Sequence, residues 1–264
     1  MLRSPTGKRK VLGAVHANVG IEIRYRRRLD AVIAAMSRAV AREIARAWRE
    51  KPPEMAEDVS PAAWLRGVVG RLRRTWEDRF AELAMGAGKW VAKASQEHAD
   101  RAFSAQLRKA GVTVKFQMTR AANDILQASI AENVSLIKSI PSQYFTQVES
   151  IVTEGVRIGR DMHVIAQGLE HQLGVTKRRA ALIARDQSNK ASASILRARQ
   201  LEVGITEAVW LHSAGGRKPR PAHVAMNGKK YDVVKGAWDK DEGAWVHPGQ
   251  LISCRCVSRA IVGE

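Results

Sequence analysis

Cysteine is almost missing from this 264-residue chain: there are two, Cys254 and Cys256, with only Arg255 between them. Such scarcity excludes a disulfide-stapled fold, and a disulfide between the two themselves would close too short a loop for relaxed dihedrals. Aromatic residues are also few, at 5%, so a platform on which nucleic-acid bases stack is not expected. No stretch approaches the roughly 18 apolar residues of a membrane span. Phosphate-cradling glycine loops are absent too; "AGGRK" (residues 214–218) is short and is not followed by a helix pattern, and neither a Walker lysine motif nor a dinucleotide fingerprint occurs. No nucleophile elbow marks a catalytic serine or cysteine.

Negative charge is the other deficit. Against 44 Lys and Arg stand 26 Asp and Glu, giving a net charge of +18 and an isoelectric point near 10.6. That balance favours a polyanionic partner or a strongly acidic protein surface. With few cysteines and no leader-like opening, the chain is expected to be made in, and kept in, a reducing cytoplasm. Hydrophobic residues, at 45%, are enough for a real core without metal or disulfides.

What is present is mostly helical periodicity. Residues 1–20 mix Gly, Pro and basic residues without a period and read as a basic irregular arm. From Tyr25, the residues Leu29, Ile33, Met36, Val40, Ile44 and Trp48 recur at three or four, the spacing of one helix stripe. A different stripe carries Arg38, Arg42, Arg46 and Arg49, and the first fifty residues hold 12 basic and 4 acidic side chains. These arginines are candidates for DNA contact. Since phosphate contact carries no base information, such contact is expected to be sequence-independent.

Further along, the pattern predicts breaks at "EKPPEMAEDVSP", at "MGAGK", at Pro141 and at Gly174, with Thr176 as the N-cap of a long helix that Gly204 closes. "VTVKF" suggests a short strand. After Gly204, "ITEAVWLHS", "NGKKYDVV" and "CRCVSRAIV" read as strands, and "KGAWDKDEGAWVHPG" as a long loop. The expected fold is mainly α: an elongated helical N-terminal region over residues 21–175, then a small α+β domain over residues 176–264 with one long helix and a short antiparallel sheet.

Reactive side chains concentrate at the end. His212, His223, His247 and both cysteines lie after residue 211. Zinc takes four N or S ligands, and Cys254, Cys256, His223 and His247 would supply two of each. The single residue between the cysteines is shorter than the usual spacer of structural zinc sites. No metal and no cofactor are therefore expected, and the thiols are expected to be buried on one face of the last strand, packed against "AVWLHS" or the loop around His223. Arg220 is expected to be tied to backbone carbonyls, and His223 to cap or pack a short turn. A thiol- or metal-dependent enzyme built on these four side chains is the alternative.

The order of these residues resembles the Mu F-like minor head protein family of tailed bacteriophages. The resemblance covers about residues 180–258 and is carried by "ALIARDQSNKASASILRARQLEVGI", "AVWLHS", "RKPRPAHVAMNGKKY" and "HPGQLISCRC". Within it stand Trp210, Arg220 and His223 at R-x-x-H spacing, Gly228, Pro248, Cys254, Arg255 and Cys256. Two positions depart from the family's habit. An acidic residue usually precedes the arginine of R-x-x-H, where this chain has "SAGG", and an Asn usually precedes the C-R-C, where it has Ser253.

The resemblance implies a non-enzymatic virion component made in the bacterial host's cytoplasm and located in the head interior. It would dock on the portal protein, with the major capsid protein as a further partner, face double-stranded DNA, and serve head assembly or genome delivery.

Overall fold

The computed structural model describes residues 9–50, 61–158, 161–215 and 218–263. Among these, four long helices precede a short-stranded C-terminal region, so the fold is mainly α. The helices are α1 (Val19–Glu50), α2 (Pro61–Lys109), α3 (Arg120–Arg157) and α4 (Met162–Glu202). The rest comprises β1 (Lys10–Val11), β2 (Glu207–Leu211), the short helix α5 (Pro221–Met226), β3 (Lys230–Asp232), β4 (Ala237–Asp239), β5 (Ala244–Val246) and β6 (Val257–Val262). No described helix is long and apolar enough to cross a membrane.

Packing divides the chain into two units. The helical unit comprises Ile23–Gly88 and Glu132–Ala184; the mixed unit comprises Met1–Glu22, Lys89–Ala131 and Arg185–Glu264. In the helical unit the expected α1 stripe is buried from Tyr25 through Ile44, with Ala47 in place of the half-buried Trp48. Phe80 of α2, Tyr144 and Phe145 of α3 and Ile165 of α4 complete its core. Burying each such side chain contributes about 1.5–3 kcal/mol. Tyr25 keeps its polar end satisfied by donating to Asn133 Oδ1 at 2.9 Å.

Three expected breaks are not breaks. α2 runs through Gly86 and Gly88, with Ala84, Ala87, Val91 and Ala92 buried around them; a helical glycine costs about 1 kcal/mol, which this much packing exceeds. α3 runs through Pro141, with Ile137, Ile140, Tyr144 and Phe145 buried on both sides of it. α4 passes Gly174 without a turn. Thr176 is not its cap but an interior residue whose hydroxyl donates back to the Gln172 carbonyl at 2.8 Å. The break expected at "EKPPEMAEDVSP" lies mostly outside the described residues.

The expected stop at Gly204 is present: its φ is +76°, and Ile205 N–H donates to the Gln200 carbonyl at 2.8 Å.

In the mixed unit the sheet order is β1-β6-β2-β3, with every pair antiparallel. Of the expected irregular arm, residues 1–8 lie outside the described residues, while Lys10 and Val11 pair with Val262 and Ile261. "VTVKF" forms no strand. Its Phe116 stacks on Phe103 with centroids 5.7 Å apart, and α4's Arg199 reaches the Gln117 carbonyl at 2.8 Å. That guanidinium is 1% exposed and also grips Asp100 at 2.7 and 2.9 Å and Glu202 at 2.7 Å. The expected long loop contains a hairpin, β4–β5, in which Trp238 pairs with Trp245.

Candidate functional site

The tail's reactive residues meet around α5, within the mixed unit. Pro221 at the first turn presets φ for this helix, and Asp241 Oδ2 accepts the Ala222 N–H at 3.1 Å. α5 delivers His223 into a core of Ala208, Trp210, Ala222, Met226, Tyr231, Val246, Cys254 and Cys256. The fully buried Trp210 indole and the imidazole meet in a T-shaped contact, with centroids 5.1 Å apart. Gly228, at φ +77°, turns the chain after α5 so that its N–H reaches the Trp210 carbonyl at 2.8 Å.

The cysteines lie just before β6 and not on it, which corrects the expected strand by three residues. Ser253 explains the late start. Its φ of +61° is left-handed backbone, and its N–H is held by Asp186 Oδ1 at 2.6 Å. Asn tolerates this conformation better than most residues, so Ser253→Asn would relieve the backbone here. A turn follows, in which Cys254 N–H donates to the Leu251 carbonyl at 2.9 Å. Arg255 then points away and donates to the Gly215 carbonyl, while Cys254 and Cys256, each 4% exposed, turn to the same side.

The expectation that both thiols are buried beside His223 agrees with this geometry. Both are free cysteines. His223 Nδ1 lies 3.4 Å from Cys254 Sγ and 3.6 Å from Cys256 Sγ, and all three atoms fall within 4.8 Å of one another. On the far side of the ring, Nε2 is 3.1 Å from Oδ2 of Asp239, which is fully buried. Asp239 Oδ1 accepts the N–H groups of Asp241 and Glu242 at 2.9 and 3.3 Å. His223 is 2% exposed.

The titrations are linked. Burial lowers the His223 pKa, but bonding to Cys254 and the charges of Cys254 and Asp239 outweigh it, so the net shift is upward. Hydrogen bonding with Cys256, opposed by burial and aided by His223, holds the Cys254 thiol below its ordinary value. The same bond, together with burial, pushes Cys256 up. One thiolate is thus favoured and a second disfavoured, as for two like charges in one site.

His223 and the cysteines also line a cavity of about 400 Å³ whose other walls include Arg185, His212, Lys218, Arg220 and Arg255. Arg220 donates to the Ile252 carbonyl at 3.1 Å, as expected of it, and pairs with Glu242 at 3.6 Å. The carboxylate beside Arg220 thus comes from the β4–β5 turn.

His247 does not join the cluster. It lines a different cavity of about 710 Å³, with Pro248, Gly249 and the α4 residues Asn189 and Ala193. There, burial first and then the Arg197 charge push its pKa down to about 4. Sequence reasoning missed Asp239 and Asp186. Neither stands at a motif spacing: Asp186 lies on α4 and meets Ser253, and Asp239 lies on β4 and meets His223 of α5. The four arginines of the other candidate surface, Arg38, Arg42, Arg46 and Arg49, are all exposed on α1, with Arg46 paired to Glu43 at 2.7 Å.

Comparison with known proteins places this site inside a recognised segment. A family model described as Phage Mu protein F like protein matches residues 146–259. A Haemophilus influenzae protein described as uncharacterized is 32% identical over 184 residues, which are 68% of this chain and 39% of that protein. The chain thus spans about two fifths of that curated relative. No solved structure matches it.

Proposed function

We propose that this protein is a head morphogenesis protein of a tailed phage, a minor component of the virion head and not an enzyme, a reading supported by the match of residues 146–259 to the family model described as Phage Mu protein F like protein. It docks on the portal from inside the head and contacts packaged DNA through the arginine face of α1. The observation that carries this reading is the coincidence of the matched span with the buried core around Trp210, His223, Cys254 and Cys256. The residues that bear the resemblance are those that build a stable docking domain.

The charge supports the DNA half. A surplus of +18 with an exposed arginine row suits phosphate contact, which releases counterions and needs no base readout. The decisive experiment is co-expression with the portal protein of the same genome, followed by affinity capture and mass determination of the complex. A stable complex is expected. No association by a folded chain would overturn portal docking and favour a metal- or thiol-dependent enzyme, whose one support is that the His/Cys cluster lines a basic cavity.

A further inference from the structure

The cluster of His223, Cys254 and Cys256 is more ordered than packing alone requires. A four-coordinate tetrahedral zinc ion has Zn–S bonds of about 2.3 Å and Zn–N bonds of about 2.0–2.1 Å, which set sulfur and nitrogen about 3.6 Å apart. The two observed separations are 3.4 and 3.6 Å. We propose that the chain binds one zinc ion through Cys254 Sγ, Cys256 Sγ and His223 Nδ1. The fourth position faces the cavity these residues line and is taken by water or an anionic donor.

Three further observations converge on this site. The first concerns hydrogen bonding. A neutral imidazole nitrogen has one in-plane lone pair and accepts one donor well. Nδ1 here faces two sulfurs at nearly equal distance, an arrangement that one thiol hydrogen bond leaves half unexplained and a shared cation explains fully.

The second is Asp239. Its carboxylate oxygen lies 3.1 Å from Nε2, in ion-pair contact though not in hydrogen-bond geometry, and its charge favours the tautomer with the proton on Nε2, so the Nδ1 lone pair is directed at the sulfurs. Metal-binding histidines are oriented in the same way by a carboxylate on the opposite ring nitrogen.

The third is burial together with charge. Two thiolates at 4% exposure are costly to desolvate unless a cation neutralises them. Arg185, Lys218, Arg220 and Arg255 around the cavity favour an anionic fourth donor. Sulfur and imidazole ligands select zinc over magnesium or calcium, which prefer oxygen.

The spacing that argued against zinc in the sequence is accommodated by local backbone. The left-handed Ser253 and the turn at Leu251–Cys254 bring in the first sulfur, and Arg255 points outward so that the second follows on the same side. The site would join α5 to the segment entering β6. It stands on this geometry alone and does not depend on portal docking or DNA contact.

The test uses the full chain, purified under reducing conditions without a metal-binding tag, with zinc measured by elemental mass spectrometry. About one zinc per chain is expected, lost in Cys254→Ser, Cys256→Ser and His223→Ala and retained in His247→Asn. Because a core variant can fail to fold, a second readout uses the unaltered chain with cobalt replacing zinc. Thiolate-to-cobalt charge transfer in the near ultraviolet and strong visible bands of a tetrahedral ion are expected. A folded chain that holds no zinc and takes up none when zinc is added would overturn the proposal. So would cobalt bound without thiolate bands, or zinc content unchanged in folded cysteine variants.

Discussion

Asp239 stands behind His223, its Oδ2 3.1 Å from the imidazole nitrogen that points away from both cysteines. In the zinc site this carboxylate touches no metal; it holds the ring. Asp239→Asn keeps an oxygen for the Asp241 and Glu242 N–H groups but removes the charge. Zinc affinity, read by competition with a chromophoric chelator, is expected to fall about 10- to 100-fold. An unchanged affinity would make the carboxylate a matter of packing.

Zinc that binds only the folded chain stabilises it by about 2.7 kcal/mol when free metal is a hundredfold above Kd. A chelator is therefore expected to lower the thermal midpoint of the wild-type chain and to leave that of Cys256→Ser unmoved. Equal shifts in both would place the metal elsewhere.

Replacing Arg38, Arg42 and Arg46 with Gln is expected to shallow the dependence of DNA affinity on salt. Each lost phosphate contact removes about 0.9 from the slope of log K against log salt concentration. Fluorescence anisotropy with two unrelated duplexes measures the slope and checks indifference to sequence. An unchanged slope would move the contact off α1.

The buried Arg199 holds Asp100, Glu202 and the Gln117 carbonyl at once. Arg199→Met leaves two carboxylates without their cation and is expected to cost about 3 kcal/mol in urea unfolding. A loss below about 1 kcal/mol would show that water replaces the guanidinium.

His247 titrates at about 4 in the folded chain and near 6.5 when unfolded. Between those values the unfolded chain binds more protons, so this group's contribution is complete above about pH 6.5 and is lost as pH falls towards 4. His247→Asn is expected to flatten that part of the stability profile, measured as the urea midpoint against pH. A wild-type-like profile would assign the acid sensitivity to other groups.

Much of this fold is legible in the amino-acid order, and the failures share one cause. The Tyr25 to Ile44 stripe, the β2 residues and the Gly204 cap are local patterns, and local patterns are what periodicity reads. Gly86, Pro141 and Thr176 are local signals too, but buried neighbours on both sides outweigh them. The β4–β5 hairpin is hidden because Trp238 and Trp245 are both exposed, so no buried alternation marks its strands. At the candidate site the cysteines and His223 are visible by type. Asp239 and Asp186 are not, because what gives them a role is a fold of the chain and not a spacing along it.

The sheet order has a consequence for synthesis. β6 lies between β1 and β2, so Lys10 has no strand partner until Val262 has been made. Until β6 leaves the ribosome, β1 and β2 each present an unpaired edge to the crowded cell interior. A nascent chain stalled before residue 257 would hold its long helices yet lack the strand that joins β1 to β2, making it a substrate for chaperones and proteases. Emergence of β6 thus becomes the event that closes the four-stranded sheet.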